Sequence, residues 1–192
     1  MMKLVFATNN KNKIKEVKEI LPAELNILSL KDIGCFEELP ETHFTIEENS
    51  LEKAVYVHEK YGYDCFAEDS GLEVVALNGR PGVDSAHYSG SRDADANILL
   101  LLLNMRNQND RSARFKTVFT LIINSEINQF SGIVTGHIAT NQEGTNGFGY
   151  DPVFIPDGYN LTYAQLPAAE KSQMSHRAKA FKLMTDYLKQ NF

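Results

Sequence analysis

Two adjacent carboxylates in the motif Glu68-Asp69-Ser70-Gly71 are the first residues of this sequence whose types and spacing suggest chemistry. The residues before them, 64–68, predict a buried strand that ends in the motif. Ligands of open α/β sheets bind at the carboxyl ends of strands, where a carboxylate can hold Mg²⁺ or polarise an attacking water. An ordinary turn explains Asp-Ser-Gly equally well, because these residues favour turns.

A run of small polar and basic residues, Thr8-Asn9-Asn10-Lys11-Asn12-Lys13, lies where a predicted strand meets a predicted helix. Backbone N–H groups and the dipole at a helix N-terminus attract anions, and Lys11 and Lys13 add positive charge. The run lacks the glycine pattern of a P-loop. A capped helix start with solvated lysines is the plainer interpretation.

A glycine-rich segment, residues 144–152, combines three glycines with two aromatic rings and an acid. Glycine lets the backbone approach a ligand closely, an aromatic ring such as Phe148 or Tyr150 can stack on a base, and Asp151 can accept hydrogen bonds. A tight turn whose aromatic rings point into the core is the alternative.

Cationic residues recur around the start of the last predicted helix, about 175–189, as Lys171, His176 and Arg177. Cations oppose the helix dipole at that end, which favours an anionic or polar ligand, although a solvated helix start is equally compatible. Glu41 is a further acid on an irregular segment and, taken alone, is typical of a solvated loop.

Only a folded scaffold can bring these segments together, and the hydrophobic pattern indicates one. Apolar runs predict strands over 3–7, 27–30, 64–68, 114–123, 129–139 and 153–155. Helical spacing predicts helices around 14–21, 45–62, 93–106 and 175–189, the third of them buried. Strands and helices alternate, with one long hairpin inserted, so we expect an α/β fold with a mixed sheet.

Composition excludes several classes of protein. The chain has 192 residues, a length typical of one domain or of two lobes sharing a core, and a formal net charge of −6 argues against a general nucleic-acid binder. The longest apolar run, Ile98–Leu103, is too short for a membrane span. Two cysteines without metal or redox spacing indicate a reducing, cytoplasmic location. Motifs of zinc and serine hydrolases are absent from the sequence.

Taken in order, the motifs resemble the inosine triphosphate pyrophosphatase family, which hydrolyses non-canonical purine nucleoside triphosphates. The resemblance extends from residue 3 to about residue 188. It is carried by Thr8–Lys13, Leu39-Pro40-Glu41-Thr42, Glu48-Asn49 with Lys53-Ala54, Glu68–Leu72, Pro81-Gly82, Gly147–Pro152, Glu170-Lys171 and Ser175-His176-Arg177. Two departures are Asn9-Asn10, where the family usually has Gly-Asn, and Glu68, where bacterial relatives often have Asp.

The resemblance implies a two-lobed α/β fold with a long central mixed sheet flanked by helices, an active-site cleft between the lobes, and a homodimer. The whole chain, residues 1–192, would be one non-canonical purine NTP pyrophosphatase domain. It also implies Mg²⁺-dependent cleavage of ITP, dITP or XTP between the α and β phosphates, which releases the nucleoside monophosphate and pyrophosphate.

Carried onto this sequence, the resemblance assigns Asp69 as general base and metal ligand, with Glu41 and Glu68 as further metal-ligand candidates. Thr8, Asn9, Asn10, Lys11, Asn12 and Lys13 would bind the phosphates, and Ser70 would contact the substrate. Phe148, Gly149, Tyr150 and Asp151 would hold the base and sugar, with Lys171, His176 and Arg177 closing the pocket. A non-hydrolysing nucleotide-binding module and an enzyme acting on pyrimidine nucleotides remain alternatives.

Overall fold

Seven strands and five α-helices lie within residues 2–192, the part of the chain that the computed structural model describes. The strands are β1 Met2–Ala7, β2 Leu25–Leu28, β3 Cys65–Val74, β4 Pro81–Gly82, β5 Ser112–Ile123, β6 Glu126–Ile138 and β7 Phe154–Pro156. The helices are α1 Lys11–Glu19, α2 Ile46–Tyr61, α3 Ala94–Asn104, α4 Ala168–Met174 and α5 His176–Asn191.

The strands form one mixed sheet in the order β2-β1-β3-β5-β6-β7, with β4 paired to β3. β1 runs parallel to β2 and to β3, whereas β3 with β4 and β6 with β7 are antiparallel. Parallel neighbours need a crossover helix, and α1 and α2 provide the connections here. The predicted α/β class with a mixed sheet is confirmed.

The chain divides into two compact units. Unit 1 contains the residues up to Asp69, Thr117–Gly132 and Arg177–Phe192, and unit 2 contains Ser70–Lys116 and Ile133–His176. Strands β3, β5 and β6 each contribute residues to both units.

Unit 1 buries apolar residues on both faces of its strands. Along β1, Leu4 and Phe6 belong to one buried cluster with residues of α1 and α5, whereas Val5 and Ala7 belong to another with residues of α2. Successive side chains of a strand point to opposite faces, so a nearly continuous apolar run is what a strand covered on both sides requires. Phe6 stacks on Phe66 of β3, with ring centroids 4.6 Å apart.

Unit 2 has its own core, formed mainly by β3, α3, β5 and β6 and the segment 150–166. α3 is less buried than its composition predicts, because Leu99 and Leu103 are exposed on one face of the helix. The helix predicted to be buried is therefore buried on one face only. Only Asn97, Ile98 and Leu101 of α3 are buried.

Several predicted boundaries move in the structure. The first helix ends at Glu19 rather than at Leu21, and the second strand is Leu25–Leu28 rather than 27–30. The short helix α4 was not among the predicted helices. The hairpin of β5 and β6 is confirmed, and its turn residues Asn124 and Ser125 both have positive φ, as a two-residue hairpin turn requires.

Across residues 2–192, no helix has both the length and the hydrophobicity needed to cross a membrane.

Candidate active site

Glu68 and Asp69 lie inside β3 and not in a turn, which corrects the interpretation of Asp-Ser-Gly as a turn. The strand continues because it changes partner: it pairs with β1 as far as Ala67 and then with β4 from Leu72. The parallel pairing thus ends at Ala7 and Ala67, and the two acids come directly after it. They still occupy the carboxyl end of the parallel strands, where ligands of α/β sheets bind.

Lys53 of α2 joins two of the candidate carboxylates. Its Nζ lies 2.5 Å from Glu41 Oε1 and 3.1 Å from Asp69 Oδ1. Burial alone would lower the pKa of this ammonium, but the charges of Asp69 and Glu41 outweigh that effect and raise it. Lys53 is therefore a buried cation that two acids, from a loop and from β3, approach together.

Asp69 is buried, with 7 % of its surface exposed. Burial raises the pKa of its carboxyl above the ordinary value, and the charges of Lys53 and Lys13 oppose that rise only in part. A carboxylate with a raised pKa is a better proton acceptor than a fully solvated one.

Glu68 forms a second charged cluster in unit 1. Its Oε2 lies 3.0 Å from Nζ of Lys13, and its Oε1 accepts a hydrogen bond of 3.1 Å from Nη2 of Arg177. Arg177 also donates from Nη1 to Glu16 of α1. Burial alone would raise the pKa of Glu68, but the charges of Arg177 and Lys13 hold it well below the usual range. Glu68 therefore stays ionised and fixes two cations.

The start of α1 is capped by its own sequence. Asn10 Oδ1 accepts hydrogen bonds from the backbone N–H groups of Asn12 and Lys13, at 3.0 and 3.2 Å. Two N–H groups expected to face an anion are thus engaged by the cap. In the same segment, Thr8 is buried and its Oγ1 accepts from the N–H of Asn10, whereas Asn9, Lys11 and Asn12 are exposed. An anion at this helix start would therefore be contacted mainly by side chains.

In unit 2, Asp151 organises the glycine-rich segment. Its Oδ2 accepts a hydrogen bond of 2.8 Å from the N–H of Phe148 and lies 2.5 Å from Nζ of Lys171. Gly147 makes this possible: its φ is +78°, and a Cβ there would stand 1.9 Å from the same oxygen. Lys171 Nζ also lies 5.1 Å from the ring centroid of Phe148. The segment, α4 and the acid are thus held as one cluster.

The remaining predicted site residues of unit 2 differ in exposure. Tyr150 is buried and donates from its hydroxyl to the carbonyl of Ser85, so this ring belongs to the core, as the turn interpretation expected. His176 is buried and stacks on Phe115, with ring centroids 4.6 Å apart. Gly149 has a φ of +61°, and Ser70 is a half-buried residue of β3 directly after Asp69.

The acids of unit 1 suit a hard cation. Among residues 2–192, no group of three or more His, Cys, Asp and Glu side chains is arranged to enclose a metal ion. Mg²⁺ commonly takes one or two protein carboxylates and completes its shell with water and substrate phosphates, so such a group is not required. Glu41 and Asp69 already lie within reach of one ammonium nitrogen, which makes them a fitting oxygen pair. Both oxygens of Glu68 face cations instead.

Sequence reasoning missed four residues that build this arrangement, among them Lys53, which it named only within a motif. Glu16 receives Arg177, whereas Asn49 and Glu52 of α2 bind the loop that carries Glu41. Asn49 was part of a motif without a role, and Glu16 and Glu52 lie among many other charged residues of their helices. The helical spacing of Asn49, Glu52 and Lys53, which share one side of α2, was the available signal.

Comparison with known proteins agrees with this geometry. The sequence profile of the Ham1 family matches residues 4–187. The chain is 52% identical to the dITP/XTP pyrophosphatase of Flavobacterium psychrophilum over 98% of this chain and 100% of that protein. It is 53% identical to the dITP/XTP pyrophosphatase of Flavobacterium johnsoniae over 97% of this chain and 98% of that protein.

Solved structures lead to the same family. The Ham1 protein of Staphylococcus aureus superposes with a TM-score of 0.91 at 37% identity and covers 100% of both chains. A HAM1 protein from Coxiella burnetii gives a TM-score of 0.92 at 32% identity, over 99% of this chain and 100% of that one. The resemblance drawn from the ordered motifs is thereby confirmed: the chain belongs to the Ham1 family.

Proposed function

We propose that this Ham1-family protein hydrolyses the non-canonical purine nucleotides ITP, dITP and XTP to the nucleoside monophosphate and pyrophosphate. The enzyme class is that of its full-length relatives, which are named dITP/XTP pyrophosphatases. The single observation that carries the proposal is the shared contact of Glu41 and Asp69 with the buried ammonium of Lys53. A module that only binds nucleotides gains nothing from acids placed beside a polyphosphate, because like charges repel.

Cations of unit 1 meet the phosphate chain in this proposal. Lys13 and Lys53 bind phosphate oxygens and neutralise the charge that develops on the leaving pyrophosphate, since phosphoryl transfer depends mainly on positioning and charge stabilisation. Thr8, Asn9, Asn10, Lys11 and Asn12 lie along the same helix start and supply further hydrogen-bond donors.

Asp69 is the general base. Its carboxylate accepts a proton from a water molecule. The water oxygen bonds to the α phosphorus, and the bond between that phosphorus and the bridging oxygen breaks. The electron pair of that bond leaves with the pyrophosphate. Lys53 Nζ, 3.1 Å from Asp69 Oδ1, holds the carboxylate in place for this role.

Glu41 and Asp69 are the residues that would hold Mg²⁺. Bound there, Mg²⁺ would neutralise phosphate charge and polarise the reacting phosphoryl group. Glu68 would not ligate the metal directly, because its two oxygens face Lys13 and Arg177. It would instead keep those cations in place.

In this proposal the base binds at the glycine-rich segment, residues 144–152. Phe148 offers an aromatic face beside Asp151 and Lys171, which contact its N–H and its ring. Hypoxanthine and xanthine carry an oxygen at C6 where adenine carries an amino group. Donors facing that oxygen reject adenine, because its amino group would leave them unpaired.

A Mg²⁺-dependent assay of pyrophosphate release tests the proposal. ITP, dITP and XTP should be cleaved far faster than ATP, GTP, CTP and UTP, and EDTA should stop the reaction. Asp69→Asn should lower kcat by about 10²–10⁴-fold, the usual contribution of a general base, with the far-UV circular dichroism unchanged. Saturable binding without turnover would favour a nucleotide-binding module, and preference for pyrimidines would contradict the substrate class.

We also propose a homodimer and a reducing, cytoplasmic location. The dimer rests on the family resemblance, and light scattering after size exclusion measures it. Free, buried Cys35 and Cys65 support a reducing location. The net charge of −6 supports a small-molecule substrate over nucleic acid.

A further inference from the structure

The loop that carries Glu41 lies outside regular secondary structure. Residues 41–45 form no helix or strand in the structure, and α2 begins directly after them at Ile46. Phe44, the large apolar side chain of this loop, is 93 % exposed, so core packing does not hold the middle of the loop. Something else must place the Glu41 carboxylate 2.5 Å from Lys53.

Glu52 of α2 binds the residue next to Glu41 at two points. Its Oε2 accepts a hydrogen bond of 2.8 Å from the backbone N–H of Thr42, and its Oε1 accepts one of 2.8 Å from the Thr42 hydroxyl. Hydrogen bonds to an ionised acceptor are stronger than neutral ones, and two of them from one residue fix its orientation as well as its position.

Asn49, nearly one helical turn before Glu52, binds the following residue in the same way. Its Oδ1 accepts from the backbone N–H of His43 at 2.9 Å, and its Nδ2 donates to the carbonyl of His43 at 3.2 Å. Asn49 is only 3 % exposed, so water competes little for these bonds. The backbone N–H groups of Thr42 and His43 are thus both bound to α2 side chains.

Lys53 belongs to the same helix and follows Glu52 directly. Asn49 and Glu52 hold the loop, and Lys53 receives the Glu41 carboxylate, so a single rigid element sets both partners of that ion pair. We propose that Asn49 and Glu52 are positioning residues that clamp Thr42 and His43 and thereby place Glu41 beside Asp69. The part of this inference that concerns catalysis rests on the proposed function.

Hydrogen exchange tests the clamp without any assumption about activity. Glu52→Ala should speed amide exchange of Thr42 and His43 by roughly tenfold, the size of one hydrogen bond to a charged group. Glu52→Gln should recover part of the protection, because its amide oxygen can still accept one bond. Glu59→Ala, which removes an exposed acid from the same helix, is the matched control and should leave this peptide unchanged. Unchanged exchange in Glu52→Ala would overturn the clamp.

Metal dependence tests what the clamp does. Glu52→Ala should raise the Mg²⁺ concentration for half-maximal pyrophosphate release several-fold, with kcat at saturating Mg²⁺ close to that of the parent protein. Mn²⁺ binding measured by electron paramagnetic resonance without nucleotide should weaken in parallel. In a Glu41→Gln background, Glu52→Ala should have no further effect on either quantity.

Two outcomes separate the inference from the function on which it rests. Faster exchange at Thr42 and His43 with unchanged Mg²⁺ and Mn²⁺ dependence would show that the clamp does not act on Glu41 and would overturn its positioning role. If Glu41→Gln itself left the metal dependence unchanged, the proposed metal role of Glu41 would fail, and the positioning role would fail with it. The exchange rates would still show whether Asn49 and Glu52 clamp Thr42 and His43.

Discussion

Glu68 places a buried negative charge between Lys13 and Arg177, and Arg177 in turn binds Glu16. Isolated charges are expensive to bury, and removing one partner of a buried pair leaves the other uncompensated. Removing one of the four side chains therefore leaves a buried charge without its partner. Their pairing also shows how a protein with a net negative charge holds cations at the proposed phosphate site, since each cation contacts a carboxylate.

Glu68→Gln should lower the free energy of unfolding by about 3–5 kcal/mol, because it leaves Arg177 and Lys13 without their shared carboxylate. Arg177→Met should also destabilise the protein. The double variant should lose less than the sum of the two, with a coupling of about 1–3 kcal/mol, since the second change removes the charge that the first one stranded. Urea denaturation measures all three, and additive losses would contradict a direct pair.

Glu37 provides a pH-dependent contact at the surface of unit 1. Hydrogen bonds from Lys60 and Tyr61, with another from Tyr56, hold the pKa of its carboxyl well below the usual range. A lowered folded-state pKa stabilises the protein above the unfolded-state value, and that contribution disappears as pH falls through the folded-state value. The loss therefore begins below the ordinary Glu value of 4.5.

Glu37→Gln should therefore be less stable than the parent protein by a constant amount between about pH 6 and 8. The difference should shrink as pH falls below 4.5, because the Glu37 carboxyl then takes up a proton in the unfolded parent while it is still ionised in the folded parent, which favours unfolding. Urea unfolding at a series of pH values measures this. Glu59→Gln, an exposed acid on α2, is the control. A stability difference between Glu37→Gln and the parent protein that grows as pH falls would contradict the expected direction.

Elements that depend on neighbouring residues alone, such as a capped helix start or an apolar strand, could be predicted from the sequence. Thr45 caps α2 and its hydroxyl donates to Glu48, the Thr-x-x-Glu pattern that marks a helix start in a sequence. β1, predicted from its apolar run, is buried on both faces. β3 was predicted too short, because Asp-Ser-Gly is typical of a turn and the change of partner from β1 to β4 leaves no mark in a single sequence.

The candidate site was predictable in its residue types but not in its pairings. Arg177 was expected to face a substrate, and the structure places it against Glu16, 161 positions away in the chain. Asp151 was expected to accept from a base, and its Oδ2 is engaged by Lys171 and Phe148. Such contacts depend on how the elements pack, and neither charge pattern nor spacing encodes that.

The glycine-rich turn before Asp151 depends on Gly147. Alanine there would meet two obstacles: a φ of +78°, and a Cβ 1.9 Å from the Asp151 oxygen that Lys171 binds. Gly147→Ala should therefore displace Asp151 and raise the KM for ITP several-fold, in addition to about 1–2 kcal/mol of backbone strain.

Gly158→Ala is the matched control for this change. Gly158 has a similar φ of +85°, but nothing lies within 4 Å of the position its Cβ would take. Gly158→Ala should lose stability because of backbone strain, with the KM for ITP unchanged. Equal KM values in the two alanine variants would contradict the role of Gly147 in placing Asp151. Steady-state kinetics and thermal denaturation measure the two effects separately.

Across the whole molecule, charge is distributed so that a net charge of −6 coexists with cations at the candidate phosphate site. Within the described part of unit 1, Lys13, Lys53 and Arg177 each contact at least one carboxylate. Under the proposed function, phosphate oxygens would compete with the carboxylates for the same cations, so binding of a nucleotide would redistribute these contacts. A bound metal ion would offset part of the charge that the acids repel.

Ligand binding should therefore stabilise the folded protein as a whole. An ITP analogue with a methylene bridge between the α and β phosphates resists cleavage. At about 100 times the Kd of the analogue, with Mg²⁺ present, it should raise the free energy of unfolding by about 2.7 kcal/mol. For a chain of this size that corresponds to a rise in Tm of roughly 5–10 °C. The ATP counterpart should give a much smaller rise at the same concentration, because its amino group leaves donors of the base site unpaired. Differential scanning calorimetry measures both, and equal shifts would show that the base is not discriminated in binding.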